Sequence, residues 1–234
     1  MQYRISRVLA GPFLYTLWRP EIIGSEHIPA SGGAILASNH LSIVDSIFLP
    51  LMVDRPVTFA AKSEYFTGTR PIDRLTGAYM RATNQLSVDR DQARAGLDML
   101  DAALGLLRQG ELFGIYPEGT RSPDGRLYRG RPGVGWLALN SGLPVIPVAM
   151  SGTDHVLPPG RKVPRVGKIK IRVGEPLTFE AARALPSASR QRRAITDEVM
   201  NAIQALSGQE YVAMYASVRK DELAAERNGA GPGR

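Results

Sequence analysis

Apolar residues fall along this chain in short runs bounded by glycine and proline, with one longer stretch of helical period. Ala34-Ile35-Leu36-Ala37, Val57-Thr58-Phe59-Ala60-Ala61, Leu112-Phe113-Gly114-Ile115-Tyr116 and Leu143-Pro144-Val145-Ile146-Pro147-Val148-Ala149 are four such runs. Short apolar runs without alternation predict strands buried on both faces. Lys168 to Val173 alternates charged and apolar side chains, which predicts a strand with one wet face near a sheet edge. Asp91 to Gln109 carries Leu97, Leu100, Leu104 and Leu107 on one face of a 3.6-residue period. Asp89 or Asp91 can cap that helix and Gly110 can end it. Shorter helices are expected from Ser46 through Leu49, where Pro50 ends or bends the turn, and from Gly135 to Asn140 before Gly142. A polar-faced helix is expected from Ser187 to about Leu206, and a short helical piece at 209–219.

Strand alternating with helix predicts an α/β fold: a single domain with a mixed, largely parallel sheet flanked by helices. Residues 20–219 form that domain, opening at 20–33 with turns and a short strand. No internal repeat and no linker long enough to split it is present. From Lys220 the chain is charged and then glycine-rich, so 220–234 are expected to be a disordered tail. The string Lys-Asp-Glu-Leu at 220–223 is followed by further residues and is no retention signal.

Residues 1–19 form a separate segment. Arg4 and Arg7 precede an apolar stretch from Val8 to Trp18, closed by Arg19. It resembles the charged and apolar parts of a signal peptide, but no small-residue cleavage site follows. Two roles suit it: a helix packed on the domain, or a helix at a bilayer surface. The second is preferred, with the arginines at headgroups and Phe13, Leu14, Leu17 and Trp18 buried in lipid. No apolar stretch reaches the roughly 18 residues of a membrane span. The expected location is peripheral (monotopic), on the cytoplasmic face of the cell membrane.

Charge and cysteine content narrow the function. The 234 residues carry 29 Lys and Arg against 22 Asp and Glu, a formal net charge of +7. That favours an anionic partner: nucleic acid, an anionic membrane or a phosphorylated substrate. There is no cysteine, which excludes a Cys nucleophile, a Cys-ligated metal and a disulfide.

The candidate chemistry starts at Ser-Asn-His-Leu-Ser-Ile-Val-Asp, residues 38–45, directly after the first apolar run. His40 and Asp45 have four residues between them. At a strand-to-helix junction the Asp can accept from one imidazole nitrogen, fixing the tautomer and leaving the other nitrogen as a base. A capping Asp beside a buried, satisfied His fits equally well. No G-x-S-x-G elbow is present, so a serine hydrolase is not supported. The second stretch is Tyr-Pro-Glu-Gly-Thr-Arg-Ser, residues 116–122, after the third run. At a sheet mouth, Arg121 can grip a phosphate and Glu118 a polyol hydroxyl. A local Glu118–Arg121 salt bridge is the alternative.

N-H-x-x-x-x-D followed 78 residues later by P-E-G-T-R resembles the glycerolipid acyltransferase superfamily, in its branch of bacterial 1-acylglycerol-3-phosphate acyltransferases. The resemblance covers about residues 20–180. Ser87-Val88-Asp89-Arg90 matches the end of a further family block, and Lys62 matches a lysine often found after the second strand. Met80-Arg81-Ala82-Thr83-Asn84 does not align with the family's middle block, and Tyr116 stands where the family commonly has Phe. The resemblance implies acyl transfer from a thioester donor to lysophosphatidic acid, with His40 as base and Asp45 orienting it. It further implies a substrate-binding set of Glu118, Gly119, Thr120 and Arg121, with Lys62 and Arg90 as additional phosphate ligands. Asn39 is a candidate for stabilising the oxyanion or orienting the site. No cofactor and no metal are required; acyl-coenzyme A or acyl-acyl carrier protein is the co-substrate. Expected partners are the lipid acceptor, the thioester, an anionic membrane surface and acyl carrier protein. Another acceptor, such as glycerol 3-phosphate or a lyso-aminolipid, is the main alternative. A basic nucleic-acid- or membrane-binding protein is a more distant one, since no helix-turn-helix pattern is present and nucleic acid is not expected. Arg126, Arg129, Arg131, Arg161, Lys162 and Arg165 could together form a basic rim.

Overall fold

Residues Ala34–Ser38 (β2) are buried at every position because the strand lies inside a sheet that is covered on both sides. The computed structural model describes residues 14–63, 77–78, 85–88, 94–158, 160–161 and 163–229. The other strands are Glu21–Ile23 (β1), Val57–Lys62 (β3), Leu86–Val88 (β4), Leu112–Ile115 (β5), Leu127–Tyr128 (β6), Val145–Ser151 (β7), Lys170–Val173 (β8) and Tyr211–Val212 (β9). The helices are Asp45–Met52 (α1), Ala95–Arg108 (α2), Gly133–Ser141 (α3), the single turns Thr153–Val156 (α4) and Glu180–Arg183 (α5), then Ala188–Ser207 (α6) and Ala216–Gly229 (α7).

Seven strands form one sheet in the order β1-β8-β7-β2-β5-β3-β4. Every neighbouring pair is parallel except β7 with β8. Period-two alternation sorts the strand side chains into two cores. Ala34 and Leu36 face one core with Phe48, Leu49 and Leu51 of α1. Ile35 and Ala37 face the other, with Leu104 and Leu107 of α2, Leu137 of α3 and Val199 and Ile203 of α6. The expected mixed, largely parallel sheet flanked by helices is what the chain forms.

β8 keeps its wet face and lies near the sheet edge as expected, one strand in, because β1 pairs with it in register Ile22 with Ile171. Several local expectations change. α2 begins at Ala95, and the capping residues Asp89 and Asp91 lie outside the described residues. Leu97 is exposed, since it stands roughly 70° round the helix from the middle of the stripe of Leu100, Ala103, Leu104 and Leu107. α1 continues past Pro50 to Met52.

The two chain ends change most. Residues 14–18 are helical, and Trp18 is buried in the protein instead of in lipid. Its ring meets Phe48 edge-on at 5.9 Å, and its Nε1 donates to the Arg165 carbonyl at 2.6 Å. Leu14 and Leu17 pack against the same core. Once Trp18 has a carbonyl partner and an apolar wall, lipid has nothing further to offer it. Residues 1–13 of that segment, Phe13 and the arginines at 4 and 7 included, lie outside the described residues.

At the other end, residues 220–229 belong to α7 and not to a disordered tail. The segment is rich in Ala, Lys, Glu, Leu and Arg, all strong helix formers. Arg219 pairs with Glu222 and Glu226 along the helix, at 2.9 and 3.2 Å. Residues 209–219 are part strand, because β9 pairs with β6 in a second, two-stranded sheet.

Candidate active site

The site is set by the register of two adjacent parallel strands. Ala37 of β2 lies opposite Ile115 of β5. His40 and Glu118 each come three residues later, so both segments leave the carboxyl edge of the sheet side by side. There the two motifs interlock through the backbone. The His40 N–H donates to Glu118 Oε2 at 3.1 Å, and the His40 carbonyl accepts from the Ser122 N–H at 2.7 Å. Both backbone groups of His40 are thus held by the second motif.

Asp45, fully buried as the first residue of α1, gathers the loop that carries His40. Its Oδ2 accepts from His40 Nδ1 at 2.9 Å and from the N–H groups of Leu41 and Ser42, each at 2.8 Å. A carboxylate there makes Nδ1 the protonated nitrogen and leaves Nε2 as the basic one. Asp45 Oδ1 is buried without a hydrogen-bond partner among the described residues.

The flat face of the His40 ring is covered. Tyr116 stacks on it at 3.8 Å with 9° between planes, and Phe59 stacks on Tyr116 at 5.1 Å. The Tyr116 hydroxyl also shares a 2.9 Å hydrogen bond with Ser46 Oγ. Tyr116 therefore does what a Phe would do as a wall and adds a tether to α1. Phe59 reaches this place because residue 114 is Gly: a Cβ there would come within 2.2 Å of its ring. Gly114→Ala is expected to cost about 1–3 kcal/mol by overpacking and to lower activity by displacing the stack. Urea unfolding beside turnover checks both, and normal stability with normal turnover would refute the packing role.

Glu118 does not face the site mouth as expected. It is 1% exposed, and its other oxygen, Oε1, accepts from the Tyr128 N–H at 3.0 Å. It is a clamp between the His40 loop and β6, with each oxygen accepting from a backbone N–H. Burial raises its pKa from 4.5 to about 7, against the lowering effect of the Tyr128 and His40 N–H groups. The native state then keeps a proton between pH 4.5 and 7 that the unfolded chain releases. Stability from this group is complete below pH 4.5 and is lost as pH rises through 7, a change on the order of 3 kcal/mol. Glu118→Gln turns one N–H donor against an amide NH2, which costs about 1–3 kcal/mol. The difference from wild type is expected to be largest near pH 4.5 and smallest near pH 8. A difference independent of pH in denaturant titrations would contradict the raised pKa.

Asn39 is not available to an oxyanion. Its Oδ1 accepts from the Met150 N–H at 2.7 Å, and its Nδ2 donates to the Met150 carbonyl at 2.9 Å and to Gln209 Oε1 at 2.7 Å. The side chain extends the β2–β7 pairing by one rung, so Asn39 orients the loop and donates nothing to a substrate. No local Glu118–Arg121 ion pair forms: Glu118 is buried on backbone donors while Arg121 is exposed.

Gly119 holds φ 73° and lies under Arg131, whose Cδ would be 2.8 Å from an added Cβ. Thr120 is half-buried and Arg121 exposed. Thr120 Oγ1 accepts from Lys220 Nζ of α7 at 2.5 Å, a contact absent from the sequence-based expectations. Burial first, and the neighbouring Arg121 charge second, hold the Lys220 ammonium below the usual lysine range. Lys62 ends β3, opposite Val88 of β4, with its side chain outside the described part, and Arg90 lies outside the described residues.

The sequence of residues 19–151, more than half of the chain, matches the family described as Acyltransferase. The chain belongs to that family. A 1-acyl-sn-glycerol-3-phosphate acyltransferase of Bacillus subtilis is 29% identical over 183 residues, covering 77% of this chain and 84% of the relative. A chloroplastic 1-acyl-sn-glycerol-3-phosphate acyltransferase of Brassica napus is 27% identical over 201 residues, covering 85% of this chain. The chain spans only 56% of that relative's length, and 52% of a similar one from Arabidopsis thaliana. Among solved structures, the 1-acyl-sn-glycerophosphate acyltransferase of Thermotoga maritima aligns with a TM-score of 0.66 at 25% identity, over 87% of this chain and 79% of that one. Acyltransferase-family membership thus rests on the segment that holds His40, Asp45 and the Glu-Gly-Thr-Arg turn. Lys220, Gln209 and Tyr215 fall beyond it.

The basic rim is smaller than expected. Arg126 pairs with Asp124 at 2.7 Å, and Arg129 and Arg131 lie over the Tyr215 ring at 5.6 and 5.2 Å. Arg161 and Arg165 stay exposed in the later loop, beside the exposed Val163 and Val166.

Proposed function

We propose that this chain transfers an acyl group from a thioester donor to the free hydroxyl of 1-acylglycerol 3-phosphate, giving phosphatidic acid. The observation that carries this is His40, its ring held by Asp45 through Nδ1 and its backbone clamped by Glu118 and Ser122 at the carboxyl edge of the sheet. His40 Nε2 removes the proton of the acceptor hydroxyl as its oxygen attacks the thioester carbonyl carbon. The tetrahedral intermediate collapses, the carbon–sulfur bond breaks, and the departing thiolate takes the proton back from the imidazolium. Asp45 stabilises the imidazolium in between. No covalent enzyme intermediate is formed.

Arg121, exposed on the turn, takes the acceptor's phosphate, and Lys62 and Arg90 remain candidates for the same task. The acceptor arrives from an anionic bilayer. The exposed loop carrying Val163, Val166, Arg161 and Arg165 has the composition to meet headgroups, and Trp18 fastens that loop to the N-terminal segment. No helix among the described residues is long and apolar enough to cross a membrane, which suits peripheral attachment at the cytoplasmic face. Acyl-coenzyme A and acyl-acyl carrier protein both remain as donors.

Thiol release from palmitoyl-coenzyme A, with and without 1-acylglycerol 3-phosphate, tests the proposal. Release that depends on the acceptor is expected. Release indifferent to it would make the protein a thioesterase and overturn the transfer. Arg121→Ala is expected to raise the acceptor KM about tenfold, the worth of one charge-assisted contact. If kcat fell alike for phosphorylated and phosphate-free acceptors with KM unchanged, the phosphate role would be lost.

A further inference from the structure

The acyltransferase family pattern ends at Ser151, yet α7 returns to the Glu-Gly-Thr-Arg turn from well beyond it. Several contacts fix this return. The Arg129 N–H donates to the Met214 carbonyl at 2.9 Å, Arg131 Nη2 donates to Ser217 Oγ at 3.2 Å, and Leu127 of β6 pairs with Tyr211 of β9. The result is a lysine, Lys220, set on Thr120 from a hundred residues away, beside Arg121.

From this geometry we infer that Lys220, Thr120 and Arg121 form one binding site for a phosphomonoester, and that Lys220 is a ligand of it supplied by α7. This rests on the acyl transfer proposed above, and it names a recognition residue that the motifs do not contain.

Three features argue for a ligand and against a purely structural lysine. An ammonium has three hydrogens, and one goes to Thr120 Oγ1. No carboxylate among the described residues forms an ion pair with Lys220. Glu118 acts on its charge from a distance, but it forms no ion pair with Lys220 and its proton is held up to about pH 7. Lys220, partly out of water, is therefore kept near a second cation, the exposed Arg121, with little to neutralise it. A dianion held between them would neutralise both. A phosphomonoester carries about −1.5 to −2 charge near pH 7 and offers three acceptor oxygens. The Thr120 hydroxyl, which accepts from Lys220, keeps its own hydrogen to donate. A lysine suits the task as a point charge, and the guanidinium of Arg121 as a fork.

Two substrates of the proposed reaction bear this group: the acceptor glycerophosphate and the ribose 3′-phosphate of coenzyme A. Full-length wild type, Lys220→Gln and Lys220→Arg separate them. Gln keeps a hydrogen-bond donor and loses the charge; Arg keeps the charge. Calorimetry with glycerol 3-phosphate reads binding without turnover. Binding about tenfold weaker in the Gln variant, recovered in the Arg variant, is expected, together with a rise in the lysophosphatidic acid KM larger than any fall in kcat. If glycerol 3-phosphate binding were unchanged but coenzyme A lost its preference over 3′-dephospho-coenzyme A, the site would stand with the donor's phosphate as its ligand. If neither ligand distinguished the Gln variant from wild type, Lys220 would be an anchor for α7 and the inference would fail. Wild type that bound glycerol 3-phosphate through Lys220 yet released no thiol would leave the phosphate site intact and remove the transferase.

Discussion

His40→Ala is expected to lower acceptor-dependent thiol release by roughly 10²–10⁴-fold while the protein stays folded. The size follows from the role. A general base positioned on the attacking hydroxyl contributes about that much, and no other histidine is held at the clamp. His27 binds the Val173 carbonyl through Nδ1 and His155 pairs with Asp154 at 3.0 Å, both away from the clamp. The His40 side chain is 16% exposed, so its removal opens a shallow hollow in place of a sealed cavity. The bonds that shape the loop come from Asp45, Glu118 and Ser122 to backbone groups, and these remain. Near-native unfolding with lost turnover is the expected pair of results. Turnover within threefold of wild type would remove His40 as the base.

Asp45 gives the second large effect, and two substitutions there report different things. Three N–H donors converge on the one oxygen Oδ2. An Asn can place its carbonyl oxygen there and keep all three bonds, while its NH2 takes the buried place of Oδ1. Asp45→Asn therefore deletes the charge and spares most of the geometry. Transfer is expected to fall by on the order of 10²–10⁴-fold, because the imidazolium loses its counter-charge, with about 1–3 kcal/mol of stability lost to the unpaired NH2. Asp45→Ala strands two backbone N–H groups as well and is expected to destabilise more, about 2–4 kcal/mol. Circular dichroism melts beside initial rates separate the two losses. If Asp45→Asn retained full activity, the carboxylate would be a loop cap alone.

Glu118 was legible as a motif residue and illegible in its role. Its spacing from His40 shows that the two matter together, but spacing cannot say which way a carboxylate points. Direction came from the β2–β5 register, which brings the His40 N–H to one oxygen and the Tyr128 N–H to the other. Asn39 is a similar case. A polar residue after a strand reads as a turn or a donor; only β7, at Met150, makes it a rung of the sheet. Trp18 and α7 mislead for a different reason. Their patterns, an aromatic amphipathic stretch and a charged run, are the same whether the partner is lipid, water or this protein.

The sequence by itself determined the layered α/β architecture, the order of most elements and the identity of the His-Asp pair. Each of these depends on local chemistry: apolar runs that must be buried on both faces, glycines that end helices, and an Asp close enough in the chain to reach an imidazole. The tertiary structure alone decided that Glu118 is a clamp, that Phe59 and Tyr116 cover the His40 ring, and that Lys220 stands beside Arg121. Those contacts join residues far apart in sequence. Their energies depend on register, on the space left open at Gly114 and on the return of α7, none of which is encoded within any one window of the chain.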